Sequence, residues 1–463
     1  MATTSLSRTP GSAGNLRTFT ISAWTKRSTI TNANNQIISS GTYSSTQLFQ
    51  VFFESDDTLY VSDYTSGGSK SFQLTTNRLF RDTSAYYHIC VAIDTPQATP
   101  ADRVKLYVNG VQETSFSEAT YPSQDFDCAF NLNQVHTIGN RNGASFYFKG
   151  NMSNIAAVDG TALAPTSFGE VDSTSGIWKF SSPSGITWGT NGFWLKGTNS
   201  AALGTDSSGN TNTFAVASGT PTQSIDTPSN IYCTGNAIGT ARLGGGSLRP
   251  TSFSYGNNRL DLGSGGYTVR AVGTLAVGSG KYYWEIKMIS DCDSAGEPSV
   301  GIIGTGGNQN NYTGYSGNPS MLYQYSGQKG FNNIGDTTYG NSYDDGDIIG
   351  VALDLDNNAI YMSKNGAWET SGDPTSGASA TGAMYSGTGT TDGFDPATDF
   401  WTPFFIGGSS SDPVMDVNFG SGYFGTTAIS SAGTSSTGDD SVWEYDCPTG
   451  YYGISTKNIN TYG

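Results

Sequence analysis

The sequence is poor in the residues that most chemistry and most helices need. Charged residues make up 13% of its 463 positions, with 22 Lys or Arg against 38 Asp or Glu. A formal net charge of −16 without a basic stripe disfavours direct contact with nucleic acid or an anionic membrane, because either needs a cationic surface. Histidine occurs twice, at His88 and His136, and the five cysteines (Cys90, Cys128, Cys233, Cys292, Cys447) stand far apart, without a C-x-x-C or a Cys/His pair. That spacing excludes the usual zinc and dithiol sites and leaves small, buried thiols. No apolar stretch reaches the ~18 residues of a membrane helix. The N-terminus, from Met1 to Pro10, lacks a charged segment followed by an apolar one, so the expectation is a protein assembled in a cytoplasm and released by lysis.

What is abundant is turn and strand material. The 61 glycines, 26 tyrosines and 23 phenylalanines, together with many Ser and Thr, suit short pleated strands and frequent loops rather than amphipathic helices. The length exceeds what one core usually serves and predicts two or three domains.

Residues 1–172 carry strand patterns in quick succession. Thr18-Phe-Thr-Ile-Ser-Ala-Trp24 alternates polar with apolar, as does Gln47-Leu-Phe-Gln-Val-Phe-Phe53. Thr58–Ser62, Tyr86–Ile93 and Arg103–Val108 follow, the last running into Asn109-Gly110, a strong hairpin signal. Val135–Gly139 and Phe146–Val158 close the set, which predicts a sandwich or jelly roll. Trp24 on an early strand, Tyr86-Tyr-His-Ile89, Leu106-Tyr-Val-Asn-Gly110 and Lys149-Gly-Asn-Met-Ser-Asn-Ile-Ala-Ala-Val158 together resemble the laminin G-like branch of the concanavalin A-like superfamily.

Residues 173–245 read as an ordered connector, because Trp178, Trp188, Phe193 and Trp194 do not suit a floppy linker. Residues 246–424 return to strands: Gly280-Lys-Tyr-Tyr-Trp-Glu-Ile-Lys287, Ser299–Ile303, Asp347–Asp354, Ile360–Gly366, Pro403–Gly408 and Val414–Gly420. Their order is similar to that of the SPRY domain, with a Gly-rich insertion between Trp368 and Phe400 that lengthens one rim loop. Residues 425–463 read as a C-terminal extension. The predicted fold is therefore all-β: two antiparallel β-sandwich domains, jelly-roll and concanavalin-like, joined by the connector. The whole run of segments also resembles structural proteins of marine tailed phages.

Candidate chemistry fails for want of partners. His88 and His136 sit inside strands among aromatic residues and read as structural. Glu170-Val-Asp172 has the opening of a glucanase carboxylate motif, but Ser173, Thr174 and Ser175 stand where the second acid belongs. Asp354-Leu-Asp-Asn-Asn358 imitates a calcium loop, yet Ala359 takes the glycine position and strands flank it, so a hairpin turn is expected. The laminin G-like resemblance implies a calcium ion at the rim in some members; Asp102, Asp125 and Asp127 supply the right oxygens, although no spacing selects them. The expectation is a protein without cofactor, metal or enzymatic activity.

Specificity then belongs to the loops. Tyr312 and Tyr315 in the Asn308–Asn318 segment, with Tyr323, Tyr325 and Trp368, are the candidate ligand-binding residues, combining rings for stacking on a sugar with amides and hydroxyls for its hydroxyl groups. The resemblance implies a non-enzymatic virion surface or structural protein, a head decoration, fibre or tail component. It would form a symmetric homo-oligomer in contact with other virion proteins and a host glycan or receptor. The alternatives are a stand-alone carbohydrate-binding lectin and, less favoured, a glycan hydrolase.

Overall fold

The structure, a computed structural model, describes residues 3–30, 34–43, 45–142, 146–237, 241–242, 252–263, 269–294, 296–304, 320–331, 334–389, 394, 400–408 and 411–463. The chain divides into two compact units, residues 1–223 with 227–229, and residues 224–226 with 230–463.

In the first unit, eight strands form one antiparallel sheet and six form another. Alternation along each strand sends one set of side chains between them. From Thr18–Arg27, Phe19, Ile21 and Ala23 point into the shared core, where they meet Phe49, Val51 and Phe53 of Leu48–Phe53 and Ile89, Val91 and Ile93 of Tyr87–Asp94. Each such apolar side chain contributes roughly 1.5–3 kcal/mol on burial, enough to fix register, since a one-residue slip would turn the whole set outward. The hairpin joining Val104–Val108 to Val111–Gln112 turns at Asn109 (φ 48°) and Gly110 (φ 79°), the paired positive angles of a two-residue turn.

Much of the stretch read as a connector is part of this sandwich. Phe193–Leu195 pairs with Gly150–Asp159, and Ala215–Ser218 pairs with Ser5–Arg8. Leu163, Phe168, Phe180, Ile186 and Trp188 lie across the outer face of the six-stranded sheet, packing on Cys90, Ala156, Val158 and Trp194. Of the aromatic residues that looked out of place in a linker, Phe193 fills the core between the sheets, Trp194 lies on the outer face of the six-stranded sheet with Trp188 over it, and Trp178 lies against His88.

The second unit repeats the design with sheets of seven and nine strands. Tyr282, Trp284, Ile286 and Met288 of Lys281–Ser290 face Val300, Ile302, Met321 and Phe405 across the core. Tyr283 and Glu285 point the other way, and the C-terminal residues lie over them. Trp443, Cys447 and Tyr451 pack on Tyr283, Ala352 and Tyr361, while the buried Glu285 carboxylate accepts the backbone N–H groups of Glu444 and Tyr445, each at 2.9 Å, and the Asn418 amide at 3.2 Å. Tyr452–Gly453 then joins the sheet beside Tyr282 and Tyr283, before the helix Thr456–Tyr462. No described helix is long and apolar enough to cross a membrane.

Candidate functional site

Ser22 and His88 sit on neighbouring strands with Ser22 Oγ 2.8 Å from His88 Nε2, the spacing of a nucleophile and its base. Proton accounting removes that role. The Trp178 indole N–H, which can only donate, reaches His88 Nδ1 at 3.1 Å, so the ring proton is on Nε2 and is donated to Ser22. A histidine in this tautomer takes no proton from the serine. The ring is fully buried, stacked on Trp24 at 4.7 Å and nearly parallel to Trp178 beside it, and burial pulls its pKa down from 6.5 to about 3. His136 is fixed in the opposite sense. Its Nδ1 donates to the Gln134 carbonyl at 2.9 Å and its Nε2 accepts the Asn131 N–H at 3.2 Å, with the pKa lowered by burial to about 4.

The carboxylates are equally committed. Glu170 and Asp172 share Lys179, at 3.4 and 3.0 Å, on the hairpin Gly169–Val171/Trp178–Phe180. Asp172 also accepts from the Thr174 and Ser175 amides, which hold its pKa well below the usual carboxylate range. The three acids weighed for calcium are not gathered: Asp125 and Asp127 turn onto Arg17, and Asp102 onto Lys105. Asp354 closes its hairpin through Asn357 and pairs with Lys281 at 2.9 Å. Among the described residues no three His, Cys, Asp or Glu side chains converge as a metal would need. All five cysteines are buried free thiols, and burial raises the pKa of Cys90 and of Cys292 to about 12.

Of the residues expected to bind ligand, Tyr312 and Tyr315 lie outside the described residues. Tyr323 is a core residue with no exposed surface; its ring meets Tyr339 edge-on at 5.8 Å, and its hydroxyl donates to the Asn341 carbonyl. A ring so enclosed offers no face to a sugar. Alternation explains it: on Ser320–Gln324 the inward positions are Met321 and Tyr323. Tyr325 packs half-buried at the edge of the same core, whereas Trp368 lies half-buried against Tyr283, in the cluster beneath the C-terminal residues.

Around these residues the fold builds a loop edge that the sequence did not announce. Glu369, 4% exposed, accepts the backbone and side-chain N–H groups of Asn341 at 3.1 and 2.8 Å. Thr370 and Ser371 follow in left-handed conformations, φ 52° and 55°, strain of order 1–3 kcal/mol each that the surrounding contacts must hold. Lys329 reaches across to the Met384 carbonyl at 2.6 Å, its ammonium 4.5 Å from the centre of the Tyr385 ring. Hydroxyls, rings and a cation suit binding; an acid and base poised on a common atom are not among the described groups.

Two family models match this chain. The laminin G-like model of the concanavalin A-like lectin/glucanases superfamily covers residues 3–167, and the SPRY domain model covers residues 281–387. The sequence is 31% identical over 123 residues to Ran-binding protein 10 of Danio rerio, spanning 26% of this chain and 19% of that one. It is 30% identical over the same length to Ran-binding protein 9 of Homo sapiens, 16% of whose length is covered. The chain thus spans less than a fifth of these relatives. Among solved structures, the SPRY domain of human HERC1 aligns at 21% identity with a TM-score of 0.27, over 35% of this chain and 87% of that one. A heptameric SAP-like pentraxin from Limulus polyphemus aligns at 16% identity with a TM-score of 0.26, over 35% and 72%. The chain therefore carries a laminin G-like domain of the concanavalin A-like superfamily followed by a SPRY domain, two antiparallel sandwiches of kinds that typically bind rather than catalyse.

Proposed function

We propose that this is a non-enzymatic recognition protein on the outside of a tailed phage particle, presenting sandwich loops to a host-surface glycan or receptor and other surfaces to virion proteins. It is assembled in the host cytoplasm and works as a symmetric homo-oligomer, which multiplies weak single-site contacts. The observation that carries the non-enzymatic part is the His88 tautomer: the one Ser–His pair among the described residues of the first sandwich has its proton on the wrong nitrogen for a base. The order of motifs along the chain supports the virion setting.

Mass spectrometry of purified particles tests that setting, and absence of the protein from every particle preparation would refute it. Light scattering of the pure protein separates this reading from a stand-alone lectin: a trimer or larger ring is expected, whereas a monomer that binds glycans on an array favours the lectin. Polysaccharide hydrolysis that disappears in Glu170→Gln or Asp172→Asn would replace both readings with a hydrolase.

A further inference from the structure

Seven arginines occur in the first unit, and six of them place N–H groups on oxygen. Arg8 donates to Asn212, Arg17 pairs with Asp125 and Asp127, Arg27 and Arg81 share Asp57, Arg78 pairs with Glu113, and Arg103 donates to three carbonyls. Arg141 is the exception. Its guanidinium lies 4.0 Å from the centre of the Phe146 ring and 5.5 Å from that of Tyr43, and it makes no hydrogen bond or ion pair among the described residues. The undescribed positions of this unit (1–2, 31–33, 44 and 143–145) contain no acidic residue. Burial lowers its proton affinity, and the titratable groups that act on it are the phenols of Tyr43 and Tyr64.

We propose that Arg141 anchors a binding site for a carboxylate-bearing sugar, a uronic- or sialic-acid-type pyranose, on the outer face of the eight-stranded sheet. The proposal rests on the glycan-binding reading above and names the class of sugar. Phe146 and Tyr43 hold the guanidinium by cation–π contact, and its N–H groups remain to donate two parallel hydrogen bonds to a planar carboxylate.

The surroundings suit the rest of a pyranose. On Leu48–Phe53 and Thr58–Tyr64, the residues alternate with the core set; Gln50, Phe52, Tyr60 and Ser62 lie on the outer side as a buried floor, and Tyr64 is half-buried beside them. Phe146 stacks on Phe52 at 5.8 Å, and the Asn140 carbonyl accepts from Thr137 at 2.8 Å, which holds the residues on either side of Arg141 to that face. Tyr43, 45% exposed, offers a ring face to sugar C–H groups.

Hydroxyl partners follow from the proton order. Tyr60 donates to Gln73 Oε1 at 2.6 Å, so the 2.6 Å contact between Tyr60 and Tyr64 is donated by Tyr64, whose oxygen keeps a lone pair for a ligand hydroxyl. Asn142 donates one amide hydrogen to Thr42 Oγ1 at 2.6 Å and retains its other hydrogen and its carbonyl oxygen. A neutral sugar would use the ring but not the guanidinium, and an inorganic anion the reverse. A pyranose carboxylate uses both.

The test is calorimetric titration of the full chain at low salt with hexagalacturonate, mannuronate and hyaluronan oligomers and sialyllactose, beside methyl-esterified hexagalacturonate and a neutral glycan array. At least one acidic sugar should bind, and esterifying its carboxylate should weaken it about tenfold or more, the loss expected for a charge-assisted hydrogen-bonded pair. Arg141→Gln should lose at least as much, Arg141→Lys less, and Tyr43→Ala should lose affinity for all members of the series alike. Because Arg141 has no hydrogen bond or ion pair among the described residues and forfeits only its ring contacts, Arg141→Gln should melt within a few degrees of the wild type, which separates lost binding from lost folding. Acidic-sugar binding unchanged in Arg141→Gln overturns the inference. So does binding confined to neutral glycans, which leaves the proposed function standing. A wild-type chain that binds no glycan removes the inference together with the glycan reading.

Discussion

Replacing Asp63 with Asn should stabilise the first unit at pH 8 and leave it little changed at pH 4. Asp63 stands on Thr58–Tyr64 at a position whose neighbours in alternation, Leu59 and Val61, fill the core, and it is 1% exposed. One carboxylate oxygen accepts the Ala129 N–H at 2.7 Å; the other has no hydrogen-bond partner among the described residues. Burial raises its pKa from 3.8 to about 7, the Ala129 bond opposing only part of the rise. Between those two values the folded protein holds a proton that the unfolded chain has released. The stability contributed by this group is therefore complete below about pH 4 and is lost as the pH rises through 7, at about 1.4 kcal/mol per pH unit.

Summed over the window, the loss approaches about 4 kcal/mol, and Asn, neutral throughout and able to accept the same N–H, avoids it. His88 and His136, lowered by burial to about 3 and about 4, work in the other direction: their contribution is present above 6.5 and lost as the pH falls. Both histidines remain in the variant, so they cancel in the difference between the two proteins. Urea unfolding followed by tryptophan fluorescence from pH 4 to 8 should give a difference that grows by about 2–4 kcal/mol across the window in favour of Asp63→Asn. A difference that does not change with pH would refute the reasoning.

Other substitutions probe the covers and the buried histidine. Glu285→Ala orphans two backbone N–H groups and the Asn418 amide, and should cost about 3–5 kcal/mol and open residues 425–463 to protease, with Glu285→Gln intermediate. Trp178→Phe removes the donor that sets the His88 tautomer; nitrogen-15 spectra of the two histidines should show the Nε2–H form in the wild type, a mixture in the variant, and a higher His88 pKa. Gly110→Ala places a Cβ 2.5 Å from the Trp178 ring at φ 79°, and should lower stability by about 1–3 kcal/mol in thermal melts.

The pattern of Thr18–Trp24 made its strand legible, and so did Asn109-Gly110 its turn, because both rest on interactions between near neighbours in sequence. The same holds for Lys281–Lys287, where Tyr282, Trp284 and Ile286 alternate inward. Alternation has a blind side, however: it tells which residues share a face without telling which face is dry. Tyr323 looked like a loop aromatic and is core, since its partner sheet lies far away in sequence. The connector and the C-terminal extension showed no period because they cross a sheet instead of joining one along most of their length. Their tryptophans gave a hint, but not a destination.

By itself, the sequence determined the all-β class and the two sandwiches, since turn chemistry and a period of two are written into short stretches of chain; their kinds came from the resemblance of the ordered motifs to known families. Only the tertiary structure decided the protonation of His88, the enclosure of Asp63 and the solitude of Arg141. Each of these depends on what distant residues place beside the group: the Trp178 N–H for His88, the backbone of Ala129 for Asp63, and two ring faces with no carboxylate for Arg141. A side chain's charge, proton position and availability belong to its surroundings, and those surroundings are assembled only when strands far apart in the chain come together.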